Sequence, residues 1–240
     1  MYQTKGEIQL AYIQYRDISK NYGMFPALTG INLDIGEGRI VGLLGPNGSG
    51  KTTLIKLTAG LIIPSGGNIK VCGEQIGVQS KKLISYLPER TYLDETLTAE
   101  KTLGFFSDFY EDFDIVKARE LMKQLDIDPK RKIKTMSKGG KEKLQLALVM
   151  SRHAKVYLLD EPIAGVDPAA REFILNTILK NYAENSTVVI STHLIADVEN
   201  VLDDAIFLSY GKIILASPAD ELKAQHGKTI DQLFREVFRC

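Results

Sequence analysis

Apolar and polar residues alternate along this chain with different periods, and each period predicts a different kind of element. Ile31, Leu33 and Ile35 alternate with polar neighbours, which predicts a strand with one buried face. Three short runs are instead apolar almost throughout, which predicts strands buried on both faces: RIVGLLG at 39–45, VYLLD at 156–160 and TVVIST at 187–192. Because helical patterns lie between several of these runs, we expect a largely parallel sheet.

The centre of the chain has a helical period instead. From about Thr98 to His153 apolar residues recur at helical spacing, with a polar break at 126–134. We therefore predict one α/β domain over residues 1–240, with a helical subdomain inserted at about residues 92–153. Near the end of the chain, the strand patterns AIFL and KIILA flank a turn signal at 209–211.

Composition excludes several classes of protein. Thirty basic residues balance thirty acidic ones, so no nucleic-acid partner is expected. The two cysteines, Cys72 and Cys240, are far apart and form no CxxC pattern, which argues against a disulfide framework or a zinc site and suits a reducing cytosol. The first residues show no signal-peptide pattern, and no apolar run approaches the ~18 residues that suggest a membrane span.

The segment GPNGSGKTT matches the phosphate-loop pattern G-x-x-x-x-G-K-[ST] in full, from Gly45 to Thr52. It follows an apolar strand and precedes a helical pattern, which is the context such a loop requires. Glycines let backbone amides surround a polyphosphate, Lys51 would reach its β- and γ-oxygens, and the Thr52 hydroxyl would ligate Mg²⁺. The predicted nucleotide-binding residues here are Gly45, Pro46, Asn47, Gly48, Ser49, Gly50, Lys51, Thr52 and Thr53.

Two later strands end in residues that suit phosphate chemistry. Asp160 ends the run VYLLD, where its carboxylate would hold Mg²⁺ beside the phosphate loop, and Glu161 would polarise the attacking water. His193 follows the run TVVIST at the edge of the sheet where ligands gather in open α/β folds. The alternatives are strand-end residues that cap a turn and a structural histidine.

A second segment also suits an anion. In TMSKGGKEKLQLALVMS, from Thr135 to Ser151, a serine and a glycine pair precede an apolar helical pattern. Ser137 would cap the helix, and the amides of Gly139 and Gly140 would donate hydrogen bonds at its positive end. The alternative is a simple capped helix with a flexible entry.

Taken together, these motifs resemble the nucleotide-binding subunit of ABC transporters across essentially the whole chain. The resemblance implies the ABC ATPase fold: a P-loop NTPase core with a mostly parallel sheet, an antiparallel β part near the N-terminus and a helical subdomain. It implies ATP and Mg²⁺ as cofactors, and it implies catalytic roles for Lys51, Glu161 and His193.

The resemblance also explains the second anion-binding segment. MSKGG occupies the position of the family's signature LSGGQ, with Ser137 lying 23 positions before Asp160 (160 − 137). In the family two subunits pack head to tail, and each signature closes on the nucleotide held by the other subunit. Tyr22 lies where the family stacks an aromatic ring on adenine, although a core tyrosine is the alternative. AGVD resembles the D-loop, while Asp167 followed by Pro168 is also a sufficient helix cap.

Two positions depart from the family pattern. Glu89 stands where a glutamine usually senses Mg²⁺ and the membrane partner, and a carboxylate there can also ligate the metal. Lys138 replaces the first signature glycine, and its positive charge could assist at a phosphate. The combination of YLPE with SKG resembles the branch that serves exporters of antibiotics, peptides and other drugs.

The resemblance therefore implies an ATP-hydrolysing subunit that powers a separate transmembrane permease. Its partners would be a second ATP-binding subunit, identical or not, and the permease, which would hold this chain at the inner face of the cell membrane. One alternative is a soluble ABC ATPase of DNA repair or translation, whose usual coiled-coil arms and zinc modules are not evident here. Another is a P-loop kinase, which Glu161 beside Asp160 and the signature segment disfavour.

Overall fold

The computed structural model describes residues 11–238. The absence of a signal-peptide pattern and the position of Cys240 concern residues outside this range. Ten strands and nine α-helices, with one 3-10 turn, are seen in the described part of the chain. The strands are β1 (Ala11–Tyr22), β2 (Phe25–Gly36), β3 (Ile40–Leu44), β4 (Gly66–Val71), β5 (Glu74–Gln75), β6 (Ile84–Leu87), β7 (Val156–Asp160), β8 (Thr187–Thr192), β9 (Asp204–Ser209) and β10 (Lys212–Pro218).

Helices occupy about half of the described residues outside the strands. They are α1 (Lys51–Thr58), α2 (Val78–Lys82), α3 (Ala99–Phe109), α4 (Ile115–Gln124), α5 (Lys138–Met150), α6 (Pro168–Asn181), α7 (Ile195–Val198), α8 (Ala219–His226) and α9 (Ile230–Phe238). The longest of them has 14 residues, and within residues 11–238 none is long and apolar enough to cross a lipid bilayer.

The larger sheet has six strands in the order β10-β9-β3-β8-β7-β6. Pairing is parallel from β9 through to β6, and only β10 runs antiparallel to its neighbour β9. The predicted mostly parallel sheet is therefore confirmed. Strands β3, β7 and β8 are buried along almost their whole length, because both faces of the sheet are covered.

A second sheet of four antiparallel strands, β2-β1-β4-β5, forms the N-terminal part of the fold. Ile31, Leu33 and Ile35 of β2 are buried while their polar neighbours are exposed, as the alternation predicts. These side chains share one core with β1, α1 and one face of the larger sheet. The antiparallel β part expected near the N-terminus is thus present.

Helices α3, α4 and α5 and the 3-10 turn Ile133–Thr135 lie between β6 and β7. Their apolar faces form a core that continues onto the other face of the larger sheet. Thr98 and Asp114 cap α3 and α4 by accepting hydrogen bonds from backbone amides of the first turn. The helices α3 to α5 form the layer from which the second predicted anion-binding segment projects.

Buried Arg152 joins this helical layer to the sheet. Its guanidinium contacts both carboxylate oxygens of Asp112 at 3.0 and 3.1 Å and donates to the carbonyl oxygens of Lys82 and Ile84. The same group lies 3.9 Å from the ring centroid of Tyr110. The guanidinium thus makes four hydrogen bonds where a buried charge needs partners.

Candidate functional site

The loop from Gly45 to Gly50 connects β3, in the middle of the larger sheet, to α1. Gly48 and Gly50 have φ values of +79° and +109°, which residues with a β-carbon rarely adopt. A β-carbon on Gly50 would lie 2.8 Å from the carbonyl oxygen of Ala27, so space also requires glycine here. The loop therefore has the conformation in which backbone amides can face a polyphosphate at the start of α1.

Lys51 is the first residue of α1 and is 5% exposed. Its ammonium donates to the carbonyl oxygens of Gly45 at 2.8 Å and Pro46 at 3.3 Å, and it lies 3.2 Å from Glu161 Oε1. The loop thus folds back over its own lysine, and the buried ammonium has a carboxylate partner. A polyphosphate would offer stronger acceptors to the same three donor positions.

Asp160, at the end of β7, is 1% exposed and faces the phosphate loop. Its Oδ1 accepts from Thr52 Oγ1 at 3.1 Å and from Ser191 Oγ at 2.7 Å. Its Oδ2 is buried and has no hydrogen-bond partner among the described residues. Burial raises the pKa of this carboxyl above its usual range, since the hydroxyl donors only partly offset the loss of solvation.

A buried carboxylate oxygen without a partner, beside a threonine hydroxyl, is chemistry that suits Mg²⁺. This ion takes one or two protein oxygens and completes its shell with phosphate and water oxygens. No group of three or more His, Cys, Asp or Glu side chains that could hold a metal is found within the described range. Exposed Glu89 is close enough for its charge to raise the pKa of Asp160 further. The residues present therefore fit the ion.

Glu161 follows Asp160 and lies in the left-handed region, with φ of +51°. Its amide donates to both the carbonyl and the hydroxyl oxygen of Ser191 at 3.1 Å, which fixes this strained conformation. The carboxylate bridges Lys51 and His193, whose Nδ1 lies 3.0 Å from Oε2. The residues predicted at the ends of two strands, Glu161 after β7 and His193 after β8, thus lie together, because β7 and β8 are adjacent and parallel.

A cavity of about 390 Å³ lies between Lys51, Glu161 and His193. Residues 47–53 of the phosphate loop and the start of α1 line it, together with Glu89, Glu161 and His193. Ala27 and Ala164 also line it, although the sequence did not indicate either. A larger cavity of about 700 Å³ lies alongside, between Glu89, Glu161 and the first turns of α5.

The second predicted anion-binding segment starts α5. Ser137 is its N-cap, and its Oγ accepts from the Gly140 amide at 3.1 Å, as predicted. The Gly140 amide, one of the two expected to donate to an anion, therefore already donates to Ser137. Ser137, Gly139 and Gly140 do not line the phosphate-loop cavity of their own chain.

Tyr22 ends β1 at the hairpin with β2, and its side chain is about half exposed. The alternative of a core tyrosine is therefore wrong. The ring does not line the phosphate-loop cavity, but Tyr22 pairs with Phe25, two residues before Ala27 of the cavity wall. Asp167 caps α6 by accepting from the Ala170 amide at 3.1 Å, with Pro168 as the first helical residue.

Ser191 is the polar site residue that sequence reasoning missed. Its hydroxyl donates to Asp160 and accepts from the amide of Glu161, so it holds both carboxylates in place. The only signal was its position two residues before His193 in the run TVVIST. That position could not be connected with Asp160 until the register of β7 and β8 was known.

Comparison with known proteins agrees with this geometry. The family model for ABC transporters matches residues 28–164, more than half of the chain. An ABC transporter ATP-binding protein of Nostoc sp. is 33% identical over 204 residues, covering 82% of this chain and 61% of that protein. The chain thus spans about three fifths of the length of this relative.

Two relatives have names that concern resistance to antibiotics. The linearmycin resistance ATP-binding protein LnrL of Bacillus subtilis is 31% identical over 230 residues, covering 92% of this chain and 74% of that protein. The daunorubicin resistance ATP-binding protein DrrA3 of Streptomyces coeruleorubidus is 32% identical over 228 residues, covering 91% and 72%.

A solved structure of the ATP-binding subunit of an ABC transporter has the same fold. It superimposes with a TM-score of 0.86 at 26% identity, covering 95% of this chain and 99% of that one. The phosphate loop, the two carboxylates after it and the matching family model lead to one conclusion: the chain belongs to the family of ABC transporter ATP-binding proteins.

Proposed function

We propose that this chain binds ATP with Mg²⁺ and hydrolyses the γ-phosphate bond to drive a separate membrane permease. The observation that carries the proposal is the convergence of Lys51, Glu161 and His193 on one cavity beside the phosphate loop. Asp160 adjoins this cavity through its hydrogen bond with Thr52, which lines it. A purely structural cluster would need neither the strained backbone of Glu161 nor the buried oxygen without a partner at Asp160.

The chain's own residues can bind and orient the triphosphate. Amides of residues 47–52 surround the phosphates at the start of α1, and Lys51 moves from its carbonyl partners to the β- and γ-oxygens. Thr52 and Asp160 would hold Mg²⁺, with Glu89 as a further oxygen at the cavity wall. The ion, when bound, neutralises charge on the β- and γ-oxygens.

Glu161 and His193 are proposed to act at the attacking water. In the nucleotide-free chain Glu161 is the carboxylate partner of Lys51. Once the phosphates take over Lys51, Glu161 can accept a hydrogen bond from that water. His193, already 3.0 Å from Glu161, would orient the carboxylate and contact the γ-phosphate. Ser191 fixes the backbone of Glu161, because its hydroxyl oxygen accepts from the Glu161 amide.

A second subunit completes the proposed site. Ser137, Gly139 and Gly140 do not line their own chain's cavity, although they start a capped helix of 13 residues. We therefore propose that they contact the γ-phosphate held by a second ATP-binding subunit. Tyr22 would stack on the adenine at the opposite end of the nucleotide.

The finer proposals follow from the relatives. The names of LnrL and DrrA3 concern drug resistance, which supports an exporter of antibiotic, peptide or drug-like cargo. The permease would hold this chain at the inner face of the cell membrane. We further propose that residues 1–240 form one ATP-binding domain in which residues of about 92–153 act as the helical subdomain.

Release of inorganic phosphate by the purified chain tests the hydrolysis proposal. Glu161→Gln should bind MgATP normally and lose turnover by about 10²-fold or more, because the water loses its base. Glu172→Gln, the same change at an exposed position of α6, is the matched control and should keep wild-type turnover. Normal turnover by Glu161→Gln would refute the assigned role.

The shared site is tested by the oligomeric state of Glu161→Gln. In MgATP it should elute as a dimer in size-exclusion chromatography with light scattering, and in MgADP as a monomer. Adding Ser137→Arg should restore the monomer in MgATP without changing nucleotide binding. A monomer under every nucleotide condition would contradict a shared site.

A further inference from the structure

Lys20 lies against the ring of Tyr22 from within the same strand. Its Nζ is 5.3 Å from the ring centroid, within the range of a cation–π contact. The same ammonium donates to the carbonyl oxygen of Ile63 at 2.8 Å. Ile63 follows α1, the helix that starts at the phosphate loop, so one lysine connects the exposed ring with the segment behind that loop.

Neighbouring contacts fasten the same part of β1. The amide of Asn21 donates to Ser65 Oγ at 3.0 Å, and the amide of Ser65 donates to the carbonyl oxygen of Ser19 at 2.8 Å. The backbone is therefore fixed on both sides of Lys20, and its ammonium is fixed by Ile63. Tyr22, in contrast, is about half exposed, and within residues 11–238 its hydroxyl makes no hydrogen bond that would fix the ring.

We propose that Lys20 is a positioning residue for nucleotide binding: it holds the Tyr22 ring in place so that the base stacks on the ring's opposite face. This inference rests on the proposed function, in which Tyr22 receives the adenine. The lysine acts on the base through the ring and has no role at the phosphates.

The physical reason is pre-organisation. An exposed tyrosine ring can leave its position, and ordering it on binding costs free energy that a fixed ring has already lost. Because the ammonium occupies one face of the ring and is tethered to Ile63, a stacked base would use the opposite face. A cation on one face also draws electron density from the ring, which suits stacking of an electron-rich purine on the other.

The test compares two probes on the full chain, MgATP and magnesium tripolyphosphate, which has the phosphates without the base. Lys20→Met should weaken MgATP binding about two- to five-fold, corresponding to about 0.5–1 kcal/mol, in isothermal titration calorimetry. Binding of tripolyphosphate, measured by competition, should not change. Lys20→Arg should restore MgATP binding, since a guanidinium also stacks on the ring.

Lys70→Met is the matched control, because it removes the same charge from β4 of the same sheet. It should bind both probes as the wild type does. If Lys20→Met weakens tripolyphosphate as much as MgATP, or leaves MgATP unchanged, the inference is overturned.

The chain contains no tryptophan, so Tyr22→Trp introduces a single fluorescent reporter at the stacking position. We expect MgATP to quench it and tripolyphosphate not to. Absence of quenching while calorimetry still shows MgATP binding would overturn the role of Tyr22 and, with it, this inference. Absence of MgATP binding to the wild type would instead refute the proposed function itself.

Discussion

Asp160→Asn should make the nucleotide-free protein more stable while it removes the effect of Mg²⁺. The wild-type side chain places a negative charge in a site that is 1% exposed, with one oxygen lacking a partner. Asparagine keeps an Oδ1 that accepts from Thr52 and Ser191 and loses the charge. Burial of an unsatisfied charged oxygen costs more than burial of an unsatisfied amide, so we expect a gain of about 1 kcal/mol.

Thermal unfolding followed by circular dichroism measures this effect. For a chain of this size about 1 kcal/mol corresponds to about 2–4 °C in Tm. MgATP at about 100 times its Kd should stabilise the wild type by about 2.7 kcal/mol. Asp160→Asn should lose the Mg²⁺-dependent part of that stabilisation. Asp203→Asn, a control at a carboxylate at the opposite end of the sheet, replaces the charged acceptor of the Ile40 amide with a neutral one and should lower Tm.

The pH dependence follows from the raised pKa of Asp160. The folded protein holds the Asp160 proton more tightly than the unfolded chain does. As pH rises above 3.8, the ordinary pKa of the group, ionisation of this carboxyl therefore lowers the free energy of unfolding. The difference in unfolding free energy between Asp160→Asn and the wild type should therefore shrink as pH falls towards that value. If the nucleotide-free Asp160→Asn variant has a lower Tm than the wild type at pH 7, the reasoning is refuted.

Three further predictions concern residues around the site. Arg152→Met should cost about 3 kcal/mol of unfolding free energy, measured in urea, because it leaves Asp112 and two carbonyls without their buried partner. A loss below about 1 kcal/mol would contradict a stabilising role for these Arg152 contacts. Gly50→Ala should weaken MgATP binding more than tenfold in calorimetry, since its φ of +109° and a carbonyl 2.8 Å away both exclude a β-carbon; unchanged affinity would show that the loop has another conformation. Ser137→Ala should cost about 1 kcal/mol in thermal unfolding through loss of the cap on Gly140, and Ser137→Thr should restore most of it; equal stability of both variants would contradict the capping contact.

Local patterns determined much of the protein before any tertiary contact was known. The phosphate loop from Gly45 to Thr52 is one continuous segment, so its glycines, lysine and threonine could be assigned from spacing alone. Asp160 and Glu161 followed from their place at the end of an apolar run, and the caps Ser137 and Asp167 from residues next to them. In each case the physical cause lies within a few residues of the effect.

Tertiary structure decided which of these segments meet. Ser191 contacts Asp160 because β8 lies between β3 and β7, and nothing local specifies that strand order. Lys20 meets Ile63, and Arg152 meets Asp112, over separations of 43 and 40 residues. Such contacts depend on how whole elements pack, which is set by the summed burial of many apolar side chains and not by any one motif. The sequence by itself therefore determined the chemistry of the site, and the packing of the two sheets and the helical layer decided its geometry.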